Sequence, residues 1–103
     1  MAERAPEGWH GWDTYAPFYD WENARTLGRR DVAFWVETLR DTQGHVLELG
    51  CGTGRLLAPI ARSWITVGAE SPRRLMGIDR SAPMLARARR RVSRVPRAAR
   101  PLL

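Results

Sequence analysis

The sequence contains no lysine, and all seventeen of its basic residues are arginine. Cysteine and histidine are also scarce, with one cysteine and two histidines in 103 residues. A lone cysteine excludes an internal disulfide framework and is typical of a reducing compartment, so we expect a cytoplasmic protein. His10 and His45 are isolated from each other and from Cys51. Because no cluster has the spacing of metal ligands, we expect no metal site.

The chain also lacks a long apolar segment. No apolar run approaches the roughly 20 residues that a membrane-spanning helix requires. The first six residues contain no apolar core of the kind found in secretory signal peptides. From these absences we expect neither a membrane partner nor a signal for secretion.

Acidic residues are missing from the last quarter of the sequence. Residues 1–79 carry nine arginines and eleven acids, whereas residues 80–103 carry eight arginines and no acid. A basic tract of this kind can bind nucleic acid or an anionic membrane. We prefer the simpler interpretation, a solvated helix face whose acidic partners lie beyond residue 103, and we expect no nucleic-acid partner. A non-catalytic nucleic-acid-binding module that uses Arg87 to Arg100 is the alternative.

Glycine, in contrast, is concentrated in residues 45–55. An apolar run of strand length at 46–49 is followed by Gly50, Gly52 and Gly54, and a pattern of helical period begins directly afterwards. A strand, a glycine turn and a helix in this order are typical of a nucleotide-binding loop. The first glycine can adopt a backbone conformation closed to other residues. The second lets the main chain approach a ligand, and the third lets the helix pack on the strand.

This loop departs from the pattern that binds a pyrophosphate. A dinucleotide site has the pattern G-x-G-x-x-G, whereas this loop reads G-x-G-x-G and is one residue shorter. Glu48 lies two residues before the first glycine. Its carboxylate would repel a pyrophosphate but could receive a cationic group. An NAD-type dinucleotide-binding fragment is therefore kept only as an alternative.

A second strand is predicted at residues 75–79, and it ends in an acid. A carboxylate at the C-terminal end of the strand next to a glycine loop can accept hydrogen bonds from both hydroxyls of a ribose. Asp79 lies 25 residues beyond the last glycine of the loop. Because roughly 20 are usual, we expect an insertion before this strand. Residues 65–70 are a competing short strand that ends in Glu70.

The remaining periodicity predicts helices around this unit. Residues 22–41 form one predicted helix, broken near Gly28, and a further helix begins at Leu56. Residues 82–95 form another, with Ser81 able to cap its first turn. A third strand is predicted to begin at Leu102.

Two motifs together resemble those of class I S-adenosylmethionine (SAM) dependent methyltransferases. The stretch Glu48-Leu49-Gly50-Cys51-Gly52-Thr53-Gly54 is similar to the first motif of that family. The stretch Ser81-Ala82-Pro83-Met84-Leu85 is similar to the family's second strand-to-helix junction, with a small polar residue and a proline before Met-Leu. This second similarity favours Asp79 over Glu70 as the ribose ligand.

The resemblance implies a Rossmann-like α/β fold, in which N-terminal helices precede a β-α-β-α unit, and SAM as the cofactor. It also implies methyl transfer to a small-molecule acceptor. Because the family's domain is about twice as long, we expect residues 22–103 to be an N-terminal part of it that is inactive alone. The base and the acceptor pocket come from later strands in the related enzymes, so we name no catalytic residue.

Aromatic residues are concentrated in residues 12–21, with five in ten positions. So dense a group needs a surface to cover, so we expect the N-terminal segment 1–21 to dock on its own domain or to form a flap over a ligand. The pattern Tyr15-x-x-x-Tyr19-Asp20 resembles the segment that precedes the first motif in small-molecule methyltransferases. The resemblance places Glu48 near the amino-acid end of SAM. Its implied cofactor-binding residues are Tyr15, Tyr19, Glu48, Gly50, Cys51, Gly52, Thr53, Gly54, Asp79 and Arg80.

Overall fold

The computed structural model describes residues 10–25, 28–66 and 73–103. In chain order the elements are α1 (His10–Arg25), α2 (Gly28–Arg40), β1 (Val46–Leu49), α3 (Leu57–Thr66), β2 (Leu75–Ile78), α4 (Ala82–Val92) and a short 3-10 helix, η1 (Arg97–Ala99). Two helices followed by a β-α-β-α unit match the predicted order. The predicted class, a Rossmann-like α/β fold, is confirmed.

The two strands lie side by side and parallel. Their register runs from Val46 opposite Leu75 to Leu49 opposite Ile78. Helix α3 makes the crossover between them, as a parallel pair requires. Leu102 forms an isolated parallel bridge to Met76 on the other edge of β2, at the position where the sequence predicted the start of a third strand.

The core lies between α3 and one face of this sheet. Its buried residues come from the glycine loop, from α3 and β2, from the end of α4 and from the turn after α4. They are Cys51, Leu57, Ala58, Ile60, Ala61, Trp64, Leu75, Val92 and Val95. Strand β2 approaches this core so closely at Gly77 that a side chain does not fit. A Cβ added there would lie 2.5 Å from Leu57 Cδ1 and 2.8 Å from Cys51 Cβ.

The opposite face of the sheet is exposed in the described part of the chain. Leu47 is 50% exposed, Leu49 73% and Ile78 52%. Parallel sheets normally have both faces covered, which is why their strands are apolar throughout. The described residues therefore cover only one of the two apolar faces of the sheet.

Helix α1 differs from the sequence-based expectation, which gave the aromatic segment no helix. It contains Pro17, which inside a helix removes a backbone hydrogen bond and normally disfavours the conformation. Packing of α1 against α2 and α4 offsets this cost, and Ala16 is buried in that contact. The helix is continuous across residues 21 and 22, while the division of the chain at this point stays a prediction.

The other helix ends lie within a few residues of their predicted positions. Helix α2 begins at Gly28, where a break was predicted. Ser81 caps α4 by accepting a hydrogen bond from the Met84 N–H. That helix ends at Val92, three residues earlier than predicted, and a turn then keeps Val95 in the core. No described helix is long and apolar enough to cross a membrane.

Candidate functional site

The glycine loop joins β1 to α3 with three residues in the left-handed region. The φ angles are +69° at Gly50, +55° at Gly52 and +75° at Gly54. Side chains strain this conformation, so the loop depends on glycine at these positions. A Cβ on Gly54 would also lie 3.3 Å from the Ala88 Cα, whereas one on Gly50 or Gly52 would project into open space. The first two glycines therefore present bare backbone to a space that a ligand can enter.

Asp79 connects this loop to the end of β2. Its Oδ2 accepts a hydrogen bond of 2.8 Å from the Gly52 N–H. Its Oδ1 accepts one of 2.7 Å from the Ser81 N–H. A carboxylate has about four acceptor positions, so each oxygen can still accept one more bond. The side chain is thus fixed in place and keeps the capacity to bind two hydroxyls.

A cavity of about 240 Å³ opens beside this carboxylate. It lies between the glycine loop, the end of β2, the first turn of α4 and α1, and is lined by Trp12, Tyr19, Gly50, Gly52, Asp79, Arg80, Ser81 and Met84. Aromatic and apolar groups form one part of the wall, and a carboxylate and a guanidinium form another. Its volume is below the roughly 300–1,000 Å³ of drug-sized pockets. The cavity therefore fits part of a nucleotide-sized ligand.

Comparison with known proteins identifies the family. A profile described as a methyltransferase domain matches residues 46–100, which run from β1 past η1 and make up more than half of the chain. The chain belongs to the methyltransferase domain family. It is a class I SAM-dependent methyltransferase by family, as the two motifs predicted, and the cofactor of the family is SAM.

One curated relative supports the same assignment. The carboxy-S-adenosyl-L-methionine synthase of Wolinella succinogenes is 48% identical over 56 residues, which make up 54% of this chain and 22% of the relative. The chain therefore matches less than a quarter of that relative's length. No solved structure matches the chain.

Half of the predicted cofactor-binding residues line the cavity of this methyltransferase domain. These are Tyr19, Gly50, Gly52, Asp79 and Arg80. The other five predicted residues are not among those that line the cavity, and these are Tyr15, Glu48, Cys51, Thr53 and Gly54. Glu70, the alternative to Asp79, lies outside the described residues.

Cys51 belongs to the core and not to the cavity wall. It is buried against the region of Gly77, and burial raises the pKa of its thiol to about 11. The thiol is therefore protonated at neutral pH and is a poor nucleophile. Its position in the glycine loop is explained by its small size.

Tyr15 supports the aromatic wall from behind. Trp12, Tyr15 and Tyr19 pack edge to face, with ring centroids 6.1 to 6.3 Å apart. The sequence-based list omitted Trp12, although it lines the cavity. A helical reading of this segment would have found it, because positions 12, 15 and 19 share one helix face.

Two carboxylates of α1 form hydrogen bonds to the two loops of the site, the glycine loop and the loop after β2. Asp13 accepts a hydrogen bond from the Ser81 hydroxyl at the end of β2. Asp20 accepts one of 2.6 Å from the Thr53 hydroxyl in the glycine loop. Thr53 is completely buried, so this bond satisfies a hydroxyl that no water can reach. The sequence analysis assigned no role to either acid, since the partners lie 68 and 33 residues away.

Asp20 also forms ion pairs with two arginines of α4. Arg91 Nη2 lies 3.0 Å from Asp20 Oδ1, and Arg87 Nη1 lies 3.8 Å from Oδ2. The side chains of all three residues are between a fifth and a third exposed. The glycine loop, α1 and α4 are thus joined at one carboxylate.

Glu48 lies on β1, two residues before the glycine loop, and the pKa of its carboxyl is unusually high. Burial raises the pKa of its carboxyl to about 7, with Arg55 opposing the shift and Asp31 and Asp79 adding to it. Arg55 itself is held by Asp31 of α2 through two hydrogen bonds of 2.7 and 2.8 Å. The hydrogen bonds from Arg55 lower the pKa of Asp31. Glu48 can therefore gain or lose a proton near neutral pH.

No group of three or more histidine, cysteine, aspartate or glutamate side chains in the described ranges is placed to hold a metal ion. The chemistry available at the site is that of carboxylates, a guanidinium, aromatic rings and loop backbone.

Proposed function

We propose that this protein binds SAM in the cavity beside the glycine loop and transfers its methyl group to a small-molecule acceptor. The observation that carries the proposal is the position of Asp79. Its carboxylate lies at the end of β2, faces the cavity and is held by the backbone of the glycine loop. This is the position from which an acid can accept hydrogen bonds from both ribose hydroxyls.

The residues around the cavity suit the rest of a nucleoside. Trp12, Tyr19 and Met84 offer apolar and aromatic surface to a flat base. The open space above Gly50 and Gly52 allows a ligand to contact the main chain directly. In this arrangement Arg80 would border the nucleoside next to Asp79, while Tyr15, Thr53, Gly54 and Cys51 would shape the site from behind.

Glu48 would act at the amino-acid end of the cofactor through its charge. A carboxyl whose pKa is near 7 is only partly ionised at neutral pH. A positively charged ligand nearby would favour the ionised form and lower this pKa. Binding of a cationic cofactor is therefore expected to release a proton from the protein.

SAM, when bound, supplies an activated methyl group on a sulfonium that is already a good leaving group. The protein then mainly has to hold donor and acceptor in line. The described residues would provide the donor side of this arrangement. Support for a small acceptor comes from the similarity of residues 15–20 to the corresponding segment of small-molecule methyltransferases. A cytoplasmic location is proposed on the basis of the single, buried cysteine.

Calorimetric titration with SAM tests the proposal. We expect the wild-type chain to bind and Asp79→Ala to bind at least about tenfold more weakly, since it loses hydrogen bonds to two hydroxyls. Asp41→Ala removes the same charge at an exposed position outside the cavity and should bind like the wild type. Equal affinity of wild type and Asp79→Ala would remove Asp79 from the site.

Two further titrations test the alternatives, which are Glu70 as the ribose ligand and NAD as the cofactor. Glu70→Ala should leave the affinity for SAM unchanged, and a loss in that variant alone would move the ribose contact to Glu70. Titration with NAD should give no binding, because the short loop and Glu48 disfavour a pyrophosphate. Binding of NAD in preference to SAM would overturn the proposed function.

Carboxy-SAM is a second candidate ligand, because the relative from Wolinella succinogenes is named for making it. The residues shared with that relative would recognise the portion common to both molecules. Competition between SAM and carboxy-SAM for the wild-type chain decides between them. A stronger affinity for carboxy-SAM would identify it as the ligand and displace SAM as the methyl donor.

A further inference from the structure

The end of α4 and the turn after it present a surface that the cofactor site does not use. Five arginines fall within residues 89–97. Arg91 is held by Asp20. The other four, Arg89, Arg90, Arg94 and Arg97, are exposed, and no described residue forms an ion pair or hydrogen bond with their guanidinium groups. We call these four residues the arginine surface.

Helix capping does not account for the arginine surface. Basic side chains near a helix C-terminus can bind the last carbonyl groups. In this protein Arg100 already performs that role, because its guanidinium donates to the carbonyls of Ser93 and Val95. The four exposed arginines are therefore in excess of what the helix end requires.

The sequence around the arginine surface contains no acidic residue. The chain contains no acid beyond Asp79. Between the four arginines, the other exposed positions are only Ser93 and Pro96, because Val92 and Val95 are buried in the core. Four like charges in nine residues repel one another, and this repulsion is relieved when a polyanion lies across them.

From these observations we infer that the arginine surface binds the phosphate backbone of duplex DNA. A membrane fits less well, because a helix that inserts into a lipid surface needs an exposed apolar face. The apolar face of α4 is buried, with Met84, Ala88 and Val92 as its members. Single-stranded nucleic acid is normally bound with aromatic side chains as stacking platforms, and residues 89–97 contain none.

The shape of the surface favours DNA over double-stranded RNA. Arg89 and Arg90 lie on the last turn of α4. The exposed side of a helix is convex, and the major groove of B-form DNA is wide enough to admit a helix. The major groove of A-form RNA is deep and narrow, and side chains do not reach into it. This inference is independent of the proposed function, because the surface does not include any residue that lines the cavity.

Fluorescence anisotropy with a labelled DNA duplex of about 20 base pairs tests the inference. Four phosphate contacts predict a slope of about −3.6 for the logarithm of affinity against the logarithm of salt concentration. Binding should therefore weaken roughly 150-fold between 50 and 200 mM salt. Absence of duplex binding at 50 mM salt would overturn the inference.

Matched variants distinguish DNA binding at the arginine surface from the non-specific attraction of DNA to any basic protein. Arg90→Ala with Arg94→Ala should reduce the slope to about −1.8, because two phosphate contacts are lost. Arg30→Ala with Arg40→Ala removes the same charge from exposed positions on α2 and should leave the slope near −3.6. An equal loss in both double variants would overturn the inference.

Two comparison probes test the choice of partner. An RNA duplex of the same sequence should bind more weakly than DNA, and vesicles of phosphatidylserine and phosphatidylcholine should not compete at equal phosphate concentration. Tighter binding of the RNA, or preferential binding of the vesicles, would contradict the assignment to DNA. Gly52→Ala should leave duplex binding unchanged, which distinguishes a failure at this surface from a failure of the cofactor site.

Discussion

The contact between Asp20 and Thr53 offers a direct test of how α1 stabilises the glycine loop. In Asp20→Ala the Thr53 hydroxyl, which is completely buried, loses its acceptor at 2.6 Å. An unsatisfied buried donor costs about 1–3 kcal/mol. Loss of the pair with Arg91 adds at most about 1 kcal/mol, since both side chains are partly exposed. We therefore expect the free energy of unfolding to fall by about 1–4 kcal/mol.

Urea unfolding followed by tryptophan fluorescence measures this change. Glu37→Ala is the matched control, because its ion pair with Arg40 is 3.5 Å long and largely exposed. That variant should differ from the wild type by less than about 0.5 kcal/mol. A loss in Asp20→Ala no larger than in this control would refute the reasoning.

A double-mutant cycle with Thr53→Val isolates the pair itself. If the hydrogen bond is real, the effects of Asp20→Ala and Thr53→Val will not add, because either change removes the same contact. Additivity within about 0.3–0.5 kcal/mol would mean that the two residues do not interact. Asp20→Asn keeps an acceptor for Thr53 but loses the charge, so it should retain more stability than Asp20→Ala.

Two further predictions concern the core and the protonation of the site. Gly77→Ala should lower the free energy of unfolding by about 1–3 kcal/mol, because its Cβ would lie 2.5 Å from Leu57 Cδ1. Gly44→Ala, where a Cβ meets open space, should be nearly neutral or slightly stabilising in the same urea titration. Glu48 has a pKa raised by burial from 4.5 to about 7, so the folded state holds its proton more tightly than the unfolded state does. Stability should thus decrease between about pH 4.5 and 7. The decrease should be smaller than the roughly 3.4 kcal/mol that the full shift would give, because solvent screens this partly exposed carboxyl. Glu48→Gln should remove this part of the pH profile, and an unchanged profile would contradict the assignment.

The parts of the site that depend on neighbouring residues could be predicted from the sequence. The strand, the glycine turn and the helix follow one another directly, so the spacing of Gly50, Gly52 and Gly54 was enough to predict the loop. The capping role of Ser81 was predicted for the same reason, since its partner Met84 is three residues away. Even the parallel bridge at Leu102 lies where local composition predicted the start of a third strand.

The parts that depend on packing could not be predicted in this way. The aromatic segment was given no secondary structure in the sequence analysis, and Pro17 inside α1 disfavours a helix. The helix forms because contacts with α2 and α4 outweigh that effect. Its acids Asp13 and Asp20 meet partners that are distant in sequence, and no spacing rule indicates such pairs. The contribution of Trp12 to the cavity wall was missed because the segment was not predicted as a helix, so that the face shared with Tyr15 and Tyr19 was not considered.

The hydrogen bonds of Asp79 have a consequence for affinity. Both carboxylate oxygens are held by backbone N–H groups, one from Gly52 and one from Ser81. Immobilising a flexible side chain on binding normally costs about 0.5–1.5 kcal/mol of conformational entropy. For Asp79 this entropy is already lost when the protein folds, so the side chain is preorganised and a ligand that contacts it, as proposed, would not incur this cost again. The same bonds couple the two loops, so a ligand that displaces Asp79 would disturb both loops at once.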